Sequence, residues 1–186
     1  MKENCPIIPS QEACELLFRE MDMMDHIIDH SRQVCRVALF IVDQLKKKDI
    51  EINRELVRAA ALLHDITKVR SFKTGENHAS TGALFLESHG YLEVSDIVGQ
   101  HVTLNTYSIS DSINEAEIVN YSDKRVLHDR VVSLGERMQY ILEKYCKDSV
   151  IYKDKAIDLF EKTKKIEDKI FKHITFSPDD LPRILD

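Results

Sequence analysis

Residues 56 to 65 read Leu56-Val57-Arg58-Ala59-Ala60-Ala61-Leu62-Leu63-His64-Asp65, and the fold is decided there. From Ala59 to Leu63 a helix would be apolar on every side, which marks a helix inside a core rather than on a surface. The run then ends on two ionisable residues. Burying such groups costs roughly 2–7 kcal/mol each unless they are hydrogen-bonded, paired or bound to a metal. Adjacent helical residues point about 100° apart. His64 and Asp65 therefore share no simple face, but both can converge on an ion near the helix end.

Outward from this stretch the helical period dominates. Asn53 is placed to cap the central helix, which is expected to run to about Val69. Before it, Ser10 caps a helix to about Met21, and a second spans about Met24 to Lys48 with Ile27, Val34, Val37, Ile41 and Leu45 on one face. After it come helices over about Asn77–His89, stopped by Gly90, and about Glu93–Leu104. A polar loop covers 105–112. Further helices start near Asn114, span Val131–Cys146 and Ile151–Ile174, and leave a short tail from Ser177. No stretch alternates as a strand would. The expected fold class is all-α, a helical bundle forming a single domain over 1–186 with its core at about 24–140.

Several of these helices repeat the anomaly of the first. His30 lies on the stripe Ile27, His30, Val34, Val37, Ile41; His101 follows Ile97 and Val98; Asp123 sits between Val119 and Val126; His78 precedes Gly82 and Phe85, with Gly82 allowing close backbone approach. One histidine on an apolar face is ordinarily a hydrogen-bonded core residue. Inward polar residues on five helices together point to a shared site. Histidines with carboxylates and no thiolate suit iron, manganese, zinc or similar divalent ions, and a carboxylate such as Asp65 can bridge two of them.

Composition bounds the alternatives. The 186 residues are 43% hydrophobic and 31% charged, with a formal net charge of −6, so no basic stripe suggests nucleic-acid binding. The basic cluster at Lys162–Lys165 reads as a solvated helix face. No apolar run is long enough for a bilayer and no leader is evident, so a cytoplasmic protein with no membrane partner is expected. The cysteines, Cys5, Cys14, Cys35 and Cys146, lack Cys-x-x-Cys spacing. His26, one turn before His30, is assigned to the surface or to a supporting role; His89, beside Gly90, is expected as a helix C-terminal residue favourable to the dipole, and His128 and His173 are expected at the surface.

The ordered set His30, His64-Asp65 and Asp123 resembles the H…HD…D pattern of the HD-domain metal-dependent phosphohydrolases. The segment Leu63-His64-Asp65-Ile66-Thr67-Lys68 is similar to the family's HD-I/A-x-K core, with Thr67 in place of the usual glycine. His78 and His101 resemble the extra ligands of the dinuclear subset, which includes the HD-GYP phosphodiesterases. The Gly-Tyr-Pro motif itself is missing. The likeness covers about Met24 to Tyr140.

That resemblance implies a function. One divalent ion would bind His30, His64, Asp65 and Asp123, and a second Asp65, His78 and His101. A metal-bound hydroxide would attack phosphorus in a phosphoester or phosphoanhydride of a nucleotide-like small molecule, the expected partner. Lys68 would bind a substrate phosphate or act on the leaving group, while Arg70 and Arg125 are weaker candidates. A di-iron oxygenase using the same ligands, and a non-catalytic metal-stabilised nucleotide-binding module, stay open on sequence grounds. The 105–112 loop is expected to shape the substrate pocket.

Overall fold

Side-chain caps start helices where the sequence pattern changes. The computed structural model describes residues 7–107, 112–145 and 150–185; Cys5 and Cys146 lie outside them. Helix α1 (Gln11–Glu20) begins at Ser10, whose hydroxyl accepts from Ala13 N–H at 3.2 Å. Helix α2 (Asp25–Lys46) buries the predicted stripe from Ile27 to Leu45. Helix α3 (Arg54–Leu63) begins at Asn53, which accepts from Leu56 N–H at 3.1 Å. Such caps are each worth about 1 kcal/mol.

Helix α3 is buried from Leu56 through Leu63 and packs against α2. It stops at Leu63 rather than running to Val69. The chain turns through 64–67, and a separate short helix, α4 (Lys68–Thr74), follows. Helix α5 (His78–Ser88) starts at Asn77, which accepts from Ser80 N–H at 3.0 Å, and is followed by Gly90 at φ +82°. Helix α6 (Leu92–Gly99) packs antiparallel to α5 and also contacts α3. A Cβ on Gly82 would stand 3.2 Å from Val98 Cγ1 and 3.4 Å from Ile66 Cγ2. The missing side chain thus lets α5 approach both α6 and the 64–67 turn. Helix α6 ends five residues before the expected Leu104, so His101 lies beyond it and not on its face.

Helix α7 (Glu115–Lys124) opens with a reciprocal capping box between Asn114 and Glu117 and packs on α2 and α3. A two-residue hairpin follows, β1 (Val126–Leu127) against β2 (Arg130–Val131), where no strand was expected. Strands this short carry too few residues to show alternation. Helix α8 (Leu134–Tyr145) and helix α9 (Val150–Phe171) then pack on each other.

The segment after Ser177 is not a loose tail. It forms a 3₁₀ turn at Pro178–Asp180 and helix α10 (Leu181–Leu185), with Leu181 and Leu185 buried. Arg125 ties this end of the chain to the core. Its side chain is fully buried; it donates to Val132 O at 2.6 Å, Glu167 Oε2 at 3.1 Å and Pro178 O at 2.8 Å. Arg125 is therefore structural and unavailable to a phosphate. Among the described residues no helix is long and apolar enough to cross a membrane.

Candidate metal centre

The break after α3 creates the site. His30 comes from the first half of α2, His64 and Asp65 from the turn after α3, and Lys68 from the first residue of α4. His78 is the first residue of α5, His101 lies two residues past α6, and Asp123 is in the last turn of α7. All six residues expected as ligands are brought into one connected cluster with Lys68 at its edge.

Backbone carbonyls set the chemistry of three of the histidines. His64 Nδ1 is 2.8 Å from Ala61 O, His101 Nδ1 is 2.7 Å from Val98 O, and His30 Nδ1 is 2.8 Å from His128 O. A carbonyl only accepts, so each Nδ1 carries a proton and donates it. In the neutral ring each Nε2 then keeps its lone pair. For His64 and His101 the acceptor lies three residues back, in the final turn of a helix, where carbonyls have no intrahelical partner. Ending α3 and α6 early supplies these acceptors.

The three Nε2 atoms face carboxylate oxygens. His30 Nε2 is 3.2 Å from Asp123 Oδ1; His64 Nε2 is 3.7 Å from the same oxygen and 3.5 Å from Asp65 Oδ2; His101 Nε2 is 3.6 Å from Asp65 Oδ1. His78 Nε2 completes the second group, 3.2 Å from both Asp65 Oδ1 and His101 Nε2. The clusters His30–His64–Asp65 and Asp65–His78–His101 each hold ligand atoms within 4.8 Å of one another and share Asp65. Lone pairs facing lone pairs repel unless a cation lies among them. His64 Nε2 and Asp65 Oδ1 are buried without a hydrogen-bond partner, a state that is costly in a dry interior. These orphaned atoms and the nitrogen–oxygen donor set fit a divalent metal.

Charge follows the same geometry. Burial pushes the Asp65 carboxyl up, but His64, His101 and His78 outweigh it and hold it well below the usual range. Asp123 is half-buried, and against the effect of that burial His30, 3.2 Å away, with the nearby Lys124 and His64 holds it well below that range. Lys68 Nζ donates to Asp65 Oδ2 at 2.9 Å, and Asp65 and Asp123 keep it charged against the effect of burial.

Further residues hold the ligands in place. Thr67, at the position where the family pattern has glycine, donates to His78 O at 2.8 Å. Asn120 Nδ2 and Lys124 Nζ donate to His101 O at 2.9 and 3.0 Å. His128 is exposed, as expected, but its backbone, at φ +59°, offers the carbonyl that orients His30. None of these three roles was read from the sequence. Thr67, Asn120 and Lys124 carried no pattern of their own, whereas a turn between two apolar residues at 126 and 131 was a signal for 128.

A cleft of about 210 Å³ opens over Asp65, His30 and Lys68, walled by Phe72, Leu127, His128 and the α8 residues Arg137, Tyr140 and Lys144. The described residues of the 105–112 loop do not line it. His26 is exposed at its rim, and Arg70 is exposed and paired with Glu76 at 2.9 Å, away from the cluster. A larger groove of about 620 Å³ lies elsewhere, between α6 and α7, and contains none of the cluster.

The HD domain family model matches residues 27–149, two thirds of the chain and every residue of the cluster. The chain belongs to the HD-domain family. Among solved structures, this HD domain is similar to a predicted HD superfamily hydrolase from an uncultured Thermotogales bacterium. The TM-score is 0.51 at 20% identity, covering 90% of this chain and 95% of the other, which bears on the fold. Among curated proteins it is similar to the tRNA (cytidine(56)-2'-O)-methyltransferases of Picrophilus torridus and Thermoplasma volcanium. The first is 27% identical over 157 residues (77% of this chain), the second 36% over 97 residues (52%). The HD domain spans less than half the length of either relative, 44% and 27% respectively.

Proposed function

We propose that this chain is a metal-dependent phosphohydrolase that cleaves a phosphoester or phosphoanhydride of a nucleotide-like small molecule. The observation that carries the reading is the convergence of Nε2 lone pairs on Asp65 and Asp123 with two buried atoms left unpartnered. His30, His64, Asp65 and Asp123 would hold one divalent ion, and Asp65, His78 and His101 the other. Bound there, such ions supply an acidified water and positive charge for phosphoryl oxygens. The protein's part is to fix the histidine tautomers through Ala61, Val98 and His128 carbonyls, and to exclude bulk water from His64, Asp65 and His101. Lys68, one third exposed on the cleft, would bring its ammonium to a substrate oxygen while remaining anchored on Asp65.

The two curated relatives are named for methyl transfer to tRNA. A segment covering less than half of their length supports an RNA-linked setting, so nucleotides released from RNA belong in the substrate panel. The test is elemental analysis of anaerobically purified protein, followed by phosphate release from nucleotides, sugar phosphates and dinucleotides. The expected result is close to two metals per chain and turnover of at least one substrate, abolished by Asp65→Ala. Absence of bound metal after reconstitution with iron, manganese or zinc would overturn the reading. So would oxygen consumption with an organic substrate and no phosphate release.

A further inference from the structure

Helix α8 carries a cation with no carboxylate partner among the described residues. Three described arginines are not exposed: Arg58 and Arg125 are buried and Arg137 is half-buried. Arg58 is paired with Glu55 and Arg125 with Glu167. Arg137 has no carboxylate within 4.0 Å among the described residues, and its Nε is buried without a hydrogen-bond partner. Its one described contact of this kind is the Tyr140 ring, 6.0 Å from the guanidinium carbon. Even partial burial of a cation with no carboxylate in contact carries a cost. The residue nevertheless lines the cleft over Asp65, His30 and Lys68, and its charge acts on both Lys68 and Asp123. Asp65 and Asp123 already face His30, His64, Lys68 and Lys124, and no described carboxylate closes on the guanidinium, so an anion entering the cleft would meet it.

We infer that Arg137 is the anion-binding residue of the cleft and selects ligands ending in a phosphomonoester, dianionic and with three non-bridging oxygens, over phosphodiesters. The inference rests on the phosphohydrolase reading for the position of the phosphorus. A guanidinium fork binds two oxygens of one phosphate. A diester has one charge and only two non-bridging oxygens, so to fill that fork it must share an oxygen between the guanidinium and the His/Asp cluster with Lys68, a weaker arrangement. A monoester needs no such sharing. Tyr140 stands one turn further along α8, with Lys144 donating to its hydroxyl at 2.6 Å, and this pair forms the outer wall beside the organic part of the ligand.

The test needs no turnover. Phenylphosphonate and its monomethyl ester share a stable carbon–phosphorus bond and differ in charge and in free oxygens. Their affinities for metal-reconstituted protein are measured by calorimetry on wild type, Arg137→Ala, Arg137→Gln and Arg137→Lys, with metal content as the check on the fold. Wild type is expected to prefer phenylphosphonate. Arg137→Ala and Arg137→Gln should weaken it by ~10- to 100-fold with metal content unchanged, affect the monomethyl ester far less, and be only partly rescued by lysine. Equal affinity for the two ligands in wild type, no phenylphosphonate binding, or an unchanged constant in both neutral variants would overturn the inference. Arg137-dependent binding in a protein that cleaves no phosphoester would instead overturn the hydrolase reading and leave this site standing.

Discussion

The two halves of the cluster meet at Asp65 but are built differently. In the half nearer α2, His30 and His64 both have their tautomers set by backbone carbonyls, and His64 is wholly buried. In the half nearer α5, His101 is held the same way and is buried, whereas His78 has a side chain 22% exposed and no carbonyl on its Nδ1 among the described residues. A ligand whose ring is already oriented loses less freedom on binding. The first half is thus prepared in advance, and the second closes on a ring that must still be ordered. The expected consequence is one tightly bound ion and one weaker, exchangeable ion.

The largest break in this asymmetry comes from Asp65, which both halves use. Asp65→Ala is expected to take bound metal from about two per chain to below one and to abolish turnover, since a shared carboxylate serves both positions of a two-metal site; elemental analysis and phosphate release read it. Acid is next. Metal binding needs unprotonated histidine nitrogens, so occupancy should fall as acid protonates them. Asp65 and Asp123 respond in the other sense. Their pKa values are depressed on folding, so their contribution to stability is complete above the ordinary carboxylate value of 3.8 and is lost only as pH falls through the depressed values. Metal release on acidification while the helical signal is still intact would bear this out; simultaneous loss of both would contradict it.

Single-histidine variants sharpen the comparison. His78→Ala should leave about one ion per chain, whereas His64→Ala should strip the tighter ion and so raise the exchange rate of whatever remains. Equal losses in the two variants would show that the halves are equivalent. The smallest expected effect is at Lys124, which with Asn120 holds the His101 carbonyl. Lys124→Met should weaken the second ion by ~10- to 100-fold, as loss of a supporting hydrogen bond commonly does, and the first ion less, through Asp123 alone. Metal titration followed by competition with a chelator distinguishes the two ions.

The helical fold and the membership of the cluster were legible because burial leaves a periodic trace. Apolar residues recur at helical spacing along α2, and six polar residues interrupt such patterns where no surface position explains them. The early ends of α3 and α6 were not legible. Nothing in Ile66 to Val69 or in Gln100 to Leu104 disfavours helix locally, and the breaks depend on His64 and His101 turning back onto carbonyls of their own last turns. The buried role of Arg125 and the packed C-terminal segment escaped for a related reason. Their partners, Glu167 and Pro178, lie 42 and 53 residues away.

By itself, then, the sequence determined an all-α chain of the HD-domain family and the side chains able to meet at its centre, because helix period and residue chemistry are local properties. Tertiary structure alone decided which nitrogen of each histidine faces the cluster, which carbonyls and side chains hold those rings, and that α8 rather than the 105–112 loop walls the cleft. Those outcomes depend on distances between segments far apart in the chain, and a distance is settled only when the helices have packed.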